Sequence, residues 1–303
     1  MAIEIPSSKE SLSEEDQRNN NEELNEVTTD TTEVSHETDP MKIRVEIPDQ
    51  STPIVVLFGP PASGKTMMLI RMARWLKKNG YSVEPNRLFR PNDALYTKIC
   101  NEFNEMVDSD DAAEGTNIVS FMLATVTRNQ RAICQILEAP GEHFHNHAKP
   151  TNQFPPYLNR IISNARNRKI YLVLTEADWE LQGDSRSRDN YVEKIAQLRR
   201  MSLPNDKFIV VLNKVDLANC VRSGGVYDVR LAKKEVRNLY PGIFDVFKNT
   251  HPISSFFKPS FASFVAFQSG TFTKSSDGNS TTFEESNDLY VSRLWKMILD
   301  YCK

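Results

Sequence analysis

The residues best suited to chemistry form one run, Gly59-Pro60-Pro61-Ala62-Ser63-Gly64-Lys65-Thr66, which spells G-x-x-x-x-G-K-[ST]. That spacing suits phosphate binding. Gly59 and Gly64 let the main chain close around an anion, with the N–H groups of the loop turned inward. Pro60, Ala62 and Ser63 complete the loop, Lys65 has the reach to meet the outer phosphates, and the Thr66 hydroxyl is a hard oxygen ligand for Mg²⁺. A helix starting here adds unpaired N–H donors and a partial positive charge. The bare pattern also occurs in ordinary glycine-containing turns, so its context decides between the two.

The context is strand, loop, helix. Residues 53–58 are a β-branched and aromatic run that reads as a buried strand, and 67–76 hold strong helix formers with no breaker until Gly80. Beyond it, 81–85 offers a short strand, and 93–107 a helix with Leu95, Ile99, Phe103 and Met106 on one face. Extended runs at 117–126 and 132–138 flank Arg128-Asn129-Gln130, which reads as a hairpin turn. Further strands are expected at 170–174, 208–212 and 251–254, separated by helices near 153–165, 187–201 and 229–240, with a closing helix at 288–301. This alternation predicts an α/β fold, a doubly wound, mostly parallel sheet with one antiparallel hairpin strand and helices on both faces.

Asn213-Lys214-Val215-Asp216 follows directly on the strand at 208–212. Here the chain resembles the P-loop GTPases, small and translation-factor-like, whose guanine-reading element is N-K-x-D at the end of a late strand. The resemblance implies a P-loop NTPase fold that binds GTP and GDP with Mg²⁺. Asp216 would accept hydrogen bonds from the N1–H and exocyclic amine of guanine, leaving adenine penalised. Glu138-Ala139-Pro140-Gly141-Glu142 looks like the family's D-x-x-G element with Glu for Asp. By that likeness Glu138 helps order Mg²⁺ and Gly141 senses the γ-phosphate, although the extra methylene departs from the usual metal geometry. The family's layout assigns Thr116 to the Mg²⁺ shell and Ser254 to the loop that meets guanine O6. Many relatives place a Gln after the glycine; here Glu142 and His143 stand there. A carboxylate at Glu142 would orient water or repel the phosphate, and His143 has a reference pKa suited to proton handling. Pro61 replaces a glycine beside the γ-phosphate, and its ring would hinder an arginine finger. His143, His145 and His147 alternate as zinc ligands do, but no cysteine is near.

Charge divides the chain. Residues 1–40 carry 12 acidic and 2 basic side chains, so the overall −3 leaves +7 for the rest. Without aromatic residues the acidic stretch cannot bury enough surface to fold, and residues 1–48 are set off as a disordered tail, with 41–48 alternating as a lead-in strand would. Residues 49–303 then form the GTPase domain, with insertions near 81–115 and 256–286. In the second insertion Phe257, Phe261, Phe264 and Phe267 suit an added hairpin. The opening residues lack a signal-peptide pattern, and no apolar run approaches the ~20 residues of a membrane span. Four scattered cysteines suit a cytoplasmic protein. A modest, unclustered +7 argues against nucleic acid as the main partner. The resemblance implies a molecular switch that hydrolyses GTP, slowly without a partner, and engages a protein effector or regulator. A P-loop ATPase, or a nucleotide-binding scaffold with little turnover, stays open.

Overall fold

The computed structural model describes residues 39–109, 121–146, 151–177, 185–218, 220–221, 226–250, 260–274 and 281–303. The chain forms β1 (Ile54–Phe58), α1 (Lys65–Lys78), β2 (Ser82–Pro85), α2 (Ala94–Asp108), β3 (Met122–Arg128), β4 (Arg131–Glu138) and the single turn α3 (Gly141–Phe144). There follow α4 (Pro156–Ser163), β5 (Lys169–Glu176), α5 (Ser185–Met201), β6 (Lys207–Asn213), α6 (Val229–Leu239) and β7 (Ala262–Ala266). A hairpin of β8 (Gly270–Lys274) and β9 (Thr281–Glu285) leads into α7 (Asp288–Cys302).

Seven strands make one sheet in the order β2-β3-β4-β1-β5-β6-β7. Neighbours from β4 to β7 pair in parallel, while β3 runs antiparallel to both β2 and β4. The expected doubly wound α/β sheet with one antiparallel hairpin strand is therefore present. Every residue of β1 and β5 is buried, as Val/Ile/Leu-rich central strands covered on both faces must be. The turn between β3 and β4 is Asn129-Gln130, both at positive φ (50° and 61°), matching the twist of a two-residue hairpin.

Topology places the site. From β1 the chain runs outward to β2 and returns to β4 on one side of β1, then crosses to β5 on the other. Connections leaving in opposite directions open a crevice at the carboxyl ends of these strands, the usual ligand position in such sheets. The run 59–66 leaves β1 into that crevice.

Two expectations change. The stretch 41–48 forms no strand, yet Val45 is buried and the Glu46 N–H donates to the Phe89 carbonyl, so packing begins before residue 49. Among the described residues the strand beside β6 is β7, pairing from Phe208↔Ala262 to Leu212↔Ala266; the strand expected at 251–254 lies outside the described residues, as does Phe257. Phe264 and Phe267 are therefore buried in the main core, and the added hairpin is built further on, from β8 and β9. Among the described residues no helix is long and apolar enough to cross a membrane.

Helix α1 packs against α2 and α7. Its buried Arg71 bridges to Asp288 (2.5 Å), Glu285 (3.2 Å) and the Ser286 carbonyl (2.8 Å). Arg74 and Lys78 also meet Glu285, at 3.3 and 3.5 Å. One carboxylate thus gathers three cations from the helix that starts in the phosphate-loop sequence.

Candidate nucleotide site

The loop leaving β1 has the backbone its glycines foretell. Gly64, at φ 80°, caps the start of α1 without a side-chain hydrogen bond, so the first N–H groups of the helix remain for an anion. A Cβ at Gly64 would stand 2.5 Å from Asn213 Nδ2, and one at Gly59 would stand 2.5 Å from Ser63 Oγ. Ser63 Oγ donates to the Pro60 carbonyl at 2.8 Å, and Ala62 takes a left-handed φ of 58°. Lys65 Nζ folds back over the loop, donating to the carbonyls of Gly59 (3.1 Å) and Pro60 (2.9 Å). Burial pushes this ammonium below its ordinary pKa, against the pull of Glu138, Glu142 and Glu176.

Glu138 ends β4 beside the loop. Its Oε1 accepts the Thr66 hydroxyl at 3.2 Å and its Oε2 accepts the Phe121 N–H at 2.7 Å. The extra methylene of Glu thus serves a carboxylate held from two sides. Burial raises its pKa, with Lys65 and the two hydrogen bonds opposing. Phe121 holds this N–H in place at φ 70°, a strained conformation for so bulky a residue. Its ring lies against Tyr157 (5.0 Å), Phe89 (5.5 Å) and His143 (5.9 Å), under the Arg90 guanidinium. Three residues after Glu138, Gly141 presses on the loop: a Cβ there would stand 2.1 Å from Pro61 N and 2.4 Å from the Pro60 carbonyl carbon.

The far wall comes from β6. Asn213, its last residue, donates from Nδ2 to the Ser63 carbonyl at 2.8 Å, joining strand end to loop. Lys214 follows at a left-handed φ of 51°, and its Nζ lies 2.6 Å from Glu176 Oε2. Asp216 sits in a 3-10 turn (Val215–Leu217), its carboxyl pushed up by burial while a backbone hydrogen bond and Lys214 pull it down. Together these residues line a cleft of about 790 Å³, within the range of small-molecule sites.

Ala62 to Thr66, Glu138, Gly141, Glu142, Asn213, Lys214 and Asp216 all line this one cleft, and Gly59 and Pro60 complete its loop. Thr116 and Ser254 lie outside the described residues, as does His147. Among the described residues no group of three or more His, Cys, Asp or Glu is placed to hold a metal ion. Glu142 is exposed at the cleft. His143 departs from expectation: burial against Phe121 and Tyr157 lowers its pKa to about 4, and Nδ1 shares a 2.5 Å hydrogen bond with the Tyr157 hydroxyl. At neutral pH it is an uncharged packing residue rather than a proton carrier. Sequence reasoning missed Ser269, Gly270 and Thr271, which line the cleft just beyond β7. Their signal was position, directly after a parallel strand's carboxyl end. Glu176 and Phe121 carried none, since each matters through partners distant in the chain.

No family model matches the chain, and no curated protein matches it. Solved structures do. Methanosarcina barkeri Roco2 RocCORdC bound to GDP is 12% identical over 85% of this chain, with a TM-score of 0.33. A mutation variant of SsGBP is 11% identical over 82%, also at 0.33. The S. cerevisiae Ski7 GTPase-like domain bound to GTP is 12% identical over 83%, at 0.39. This chain spans 52%, 57% and 51% of those three chains, about half their length. The fold assignment rests on the strand order and the loop after β1, not on these likenesses.

Proposed function

We propose that this chain binds GTP and GDP in the cleft, hydrolyses GTP slowly with Mg²⁺, and acts as a switch toward a protein partner. The observation that carries the reading is the bond from Asn213 Nδ2 to the Ser63 carbonyl. It ties a phosphate loop to an N-K-x-D strand end, setting phosphate cradle and base reader at one fixed spacing. The loop N–H groups and the start of α1 bind the phosphates, and Lys65 turns from the loop carbonyls to the outer ones. Asp216 accepts the two donors of the guanine edge. Partial burial raises the cost of leaving that carboxylate unmatched, which excludes adenine.

The Thr66 hydroxyl and Glu138 carboxylate, two hard oxygen groups in contact at the start of α1, suit Mg²⁺ and would hold it directly or through water. Bound there, the ion supplies positive charge against the phosphate oxygens. Gly141 packs against the phosphate loop, so a terminal phosphate there would shift the turn 141–144, and its exposed residue Glu142 is the group a partner would read. Residues 1–40 would add an acidic segment for docking or solubility, and four scattered cysteines support a cytoplasmic location.

A scaffold with little turnover is the second reading. His143 favours it: with its pKa lowered to about 4 it is a weak base, and the position after Gly141 carries Glu142, whose negative charge would repel the terminal phosphate. The test measures affinity and turnover for GTP, XTP and ATP with Mg²⁺, in wild type and Asp216→Asn. Tight GTP binding that moves to XTP in the variant supports the guanine reading, and the turnover rate separates switch from scaffold. An ATP preference untouched by Asp216→Asn overturns the proposal in favour of an ATPase.

A further inference from the structure

We infer that Glu176 is a positioning residue for base recognition, pinning Lys214 as a pre-ordered wall of the pocket; this rests on the nucleotide reading above. Glu176 is the last residue of β5 and stands in register beside Asn213, the last of β6. Its main chain is anchored, the N–H donating to the Tyr240 hydroxyl at 3.0 Å. Its side chain is 8% exposed against 35% for Lys214, so the carboxylate is the fixed partner and the ammonium the one that is held.

Lys214 starts from a constrained place. Its left-handed backbone turns the chain out of β6 into the 3-10 turn that carries Asp216. Unheld, a lysine there would sample many rotamers and lose that freedom on binding. With Nζ 2.6 Å from Glu176, the stem is ordered beforehand along a cleft it already lines. Its methylenes, with Leu217, offer apolar contact to the face of a flat heterocycle whose edge meets Asp216. The pairing also spends the lysine's charge on Glu176. Lys214 therefore serves the base and leaves the phosphates to Lys65. No local pattern links residues 176 and 214; strand register alone brings them together.

The experiment titrates wild type, Glu176→Gln, Glu176→Asp, Lys214→Met and the Glu176→Gln/Lys214→Met double variant with GDP and, separately, inorganic tripolyphosphate. Gln keeps the shape and removes the charge; Asp keeps the charge and withdraws it by one methylene. Glu176→Gln is expected to weaken GDP about tenfold, with Glu176→Asp moving the same way. Tripolyphosphate affinity does not fall, because removing the Glu176 charge that acts on Lys65 can only favour an anion, and the double variant binds GDP no worse than Lys214→Met alone. GDP binding by Glu176→Gln equal to wild type overturns the inference. So does a parallel loss for both ligands, or a further loss in the double variant. Should Glu176→Gln fail to fold, Glu176→Asp decides by the same comparison. A wild type that takes tripolyphosphate but no guanine nucleotide removes the nucleotide reading itself. Tight wild-type GDP binding with unaffected variants removes only this inference.

Discussion

Gly141→Ala tests whether the turn after β4 and the phosphate loop truly share one contact. The added methyl would stand 2.1 Å from Pro61 N, 2.4 Å from the Pro60 carbonyl carbon and 2.5 Å from Pro61 Cα. Cβ atoms essentially never approach within 3.0 Å of such neighbours, so turn and loop must part by about 0.9 Å. All three obstructing atoms belong to main chain or its carbonyl, so no side chain can swing aside. Overpacking of this kind costs about 1–3 kcal/mol, which for a domain of this size lowers Tm by several degrees. The same displacement moves Gly141 away from the terminal phosphate while leaving the far end of the cleft alone. GTP affinity should therefore fall on the order of tenfold, about 1.4 kcal/mol, and GDP affinity much less. Thermal melting and calorimetric titration of both nucleotides make the assay. Gly80→Ala is the control: it also has positive φ (79°), but nothing lies within 4 Å of its Cβ. It should lose about 1 kcal/mol of stability through backbone strain, with both affinities kept. A Gly141→Ala protein with wild-type Tm and wild-type GTP affinity would refute the contact and the role built on it.

Acid should weaken the fold through His143. Its folded pKa of about 4 lies below the ordinary 6.5, so the unfolded chain takes up a proton first as pH falls. Stability present above pH 6.5 is lost down to pH 4, by at most about 3 kcal/mol, and His143→Gln should flatten the Tm profile in that window. Glu285→Ala should cost about 2–3 kcal/mol in urea unfolding, because it strips one partner from fully buried Arg71 and removes an ion pair from each of Arg74 and Lys78. Arg71→Met, which removes the buried charge and keeps its packing, should cost about 1 kcal/mol; the opposite ranking would mean that packing, not ion pairing, holds this corner.

The sequence made legible what a function demands of consecutive residues. Gly59 to Thr66 and Asn213 to Asp216 are contiguous because a loop cradles phosphates with successive N–H groups and a turn presents one carboxylate. The two-residue turn at Asn129-Gln130 was readable for the same local reason. β7 was not. Ala262 and Ser263 are weak strand formers, and what makes them strand is the edge of β6 beside them. The four phenylalanines from Phe257 to Phe267 suggested an added hairpin instead, because aromatic spacing alone does not say which sheet a strand joins. His143 shows the limit for chemistry. Its residue type promised a neutral-pH proton carrier, but Phe121 and Tyr157, 22 residues before it and 14 after it, bury it out of that role.

The ion cluster on α1 bears on how the chain acquires its structure. Arg71 meets Ser286 and Asp288 across sequence separations of 215 and 217 residues. During synthesis the phosphate loop and its helix emerge early, while the groups that neutralise Arg71 follow only after most of the domain has been made. Until then a cation destined for the interior must stay hydrated, so α1 cannot settle against α7 ahead of its partners. Consolidation of the nucleotide end is therefore a late, cooperative event rather than a first nucleus. The nascent chain should remain sensitive to proteolysis around α1 until residues 285–288 have joined it.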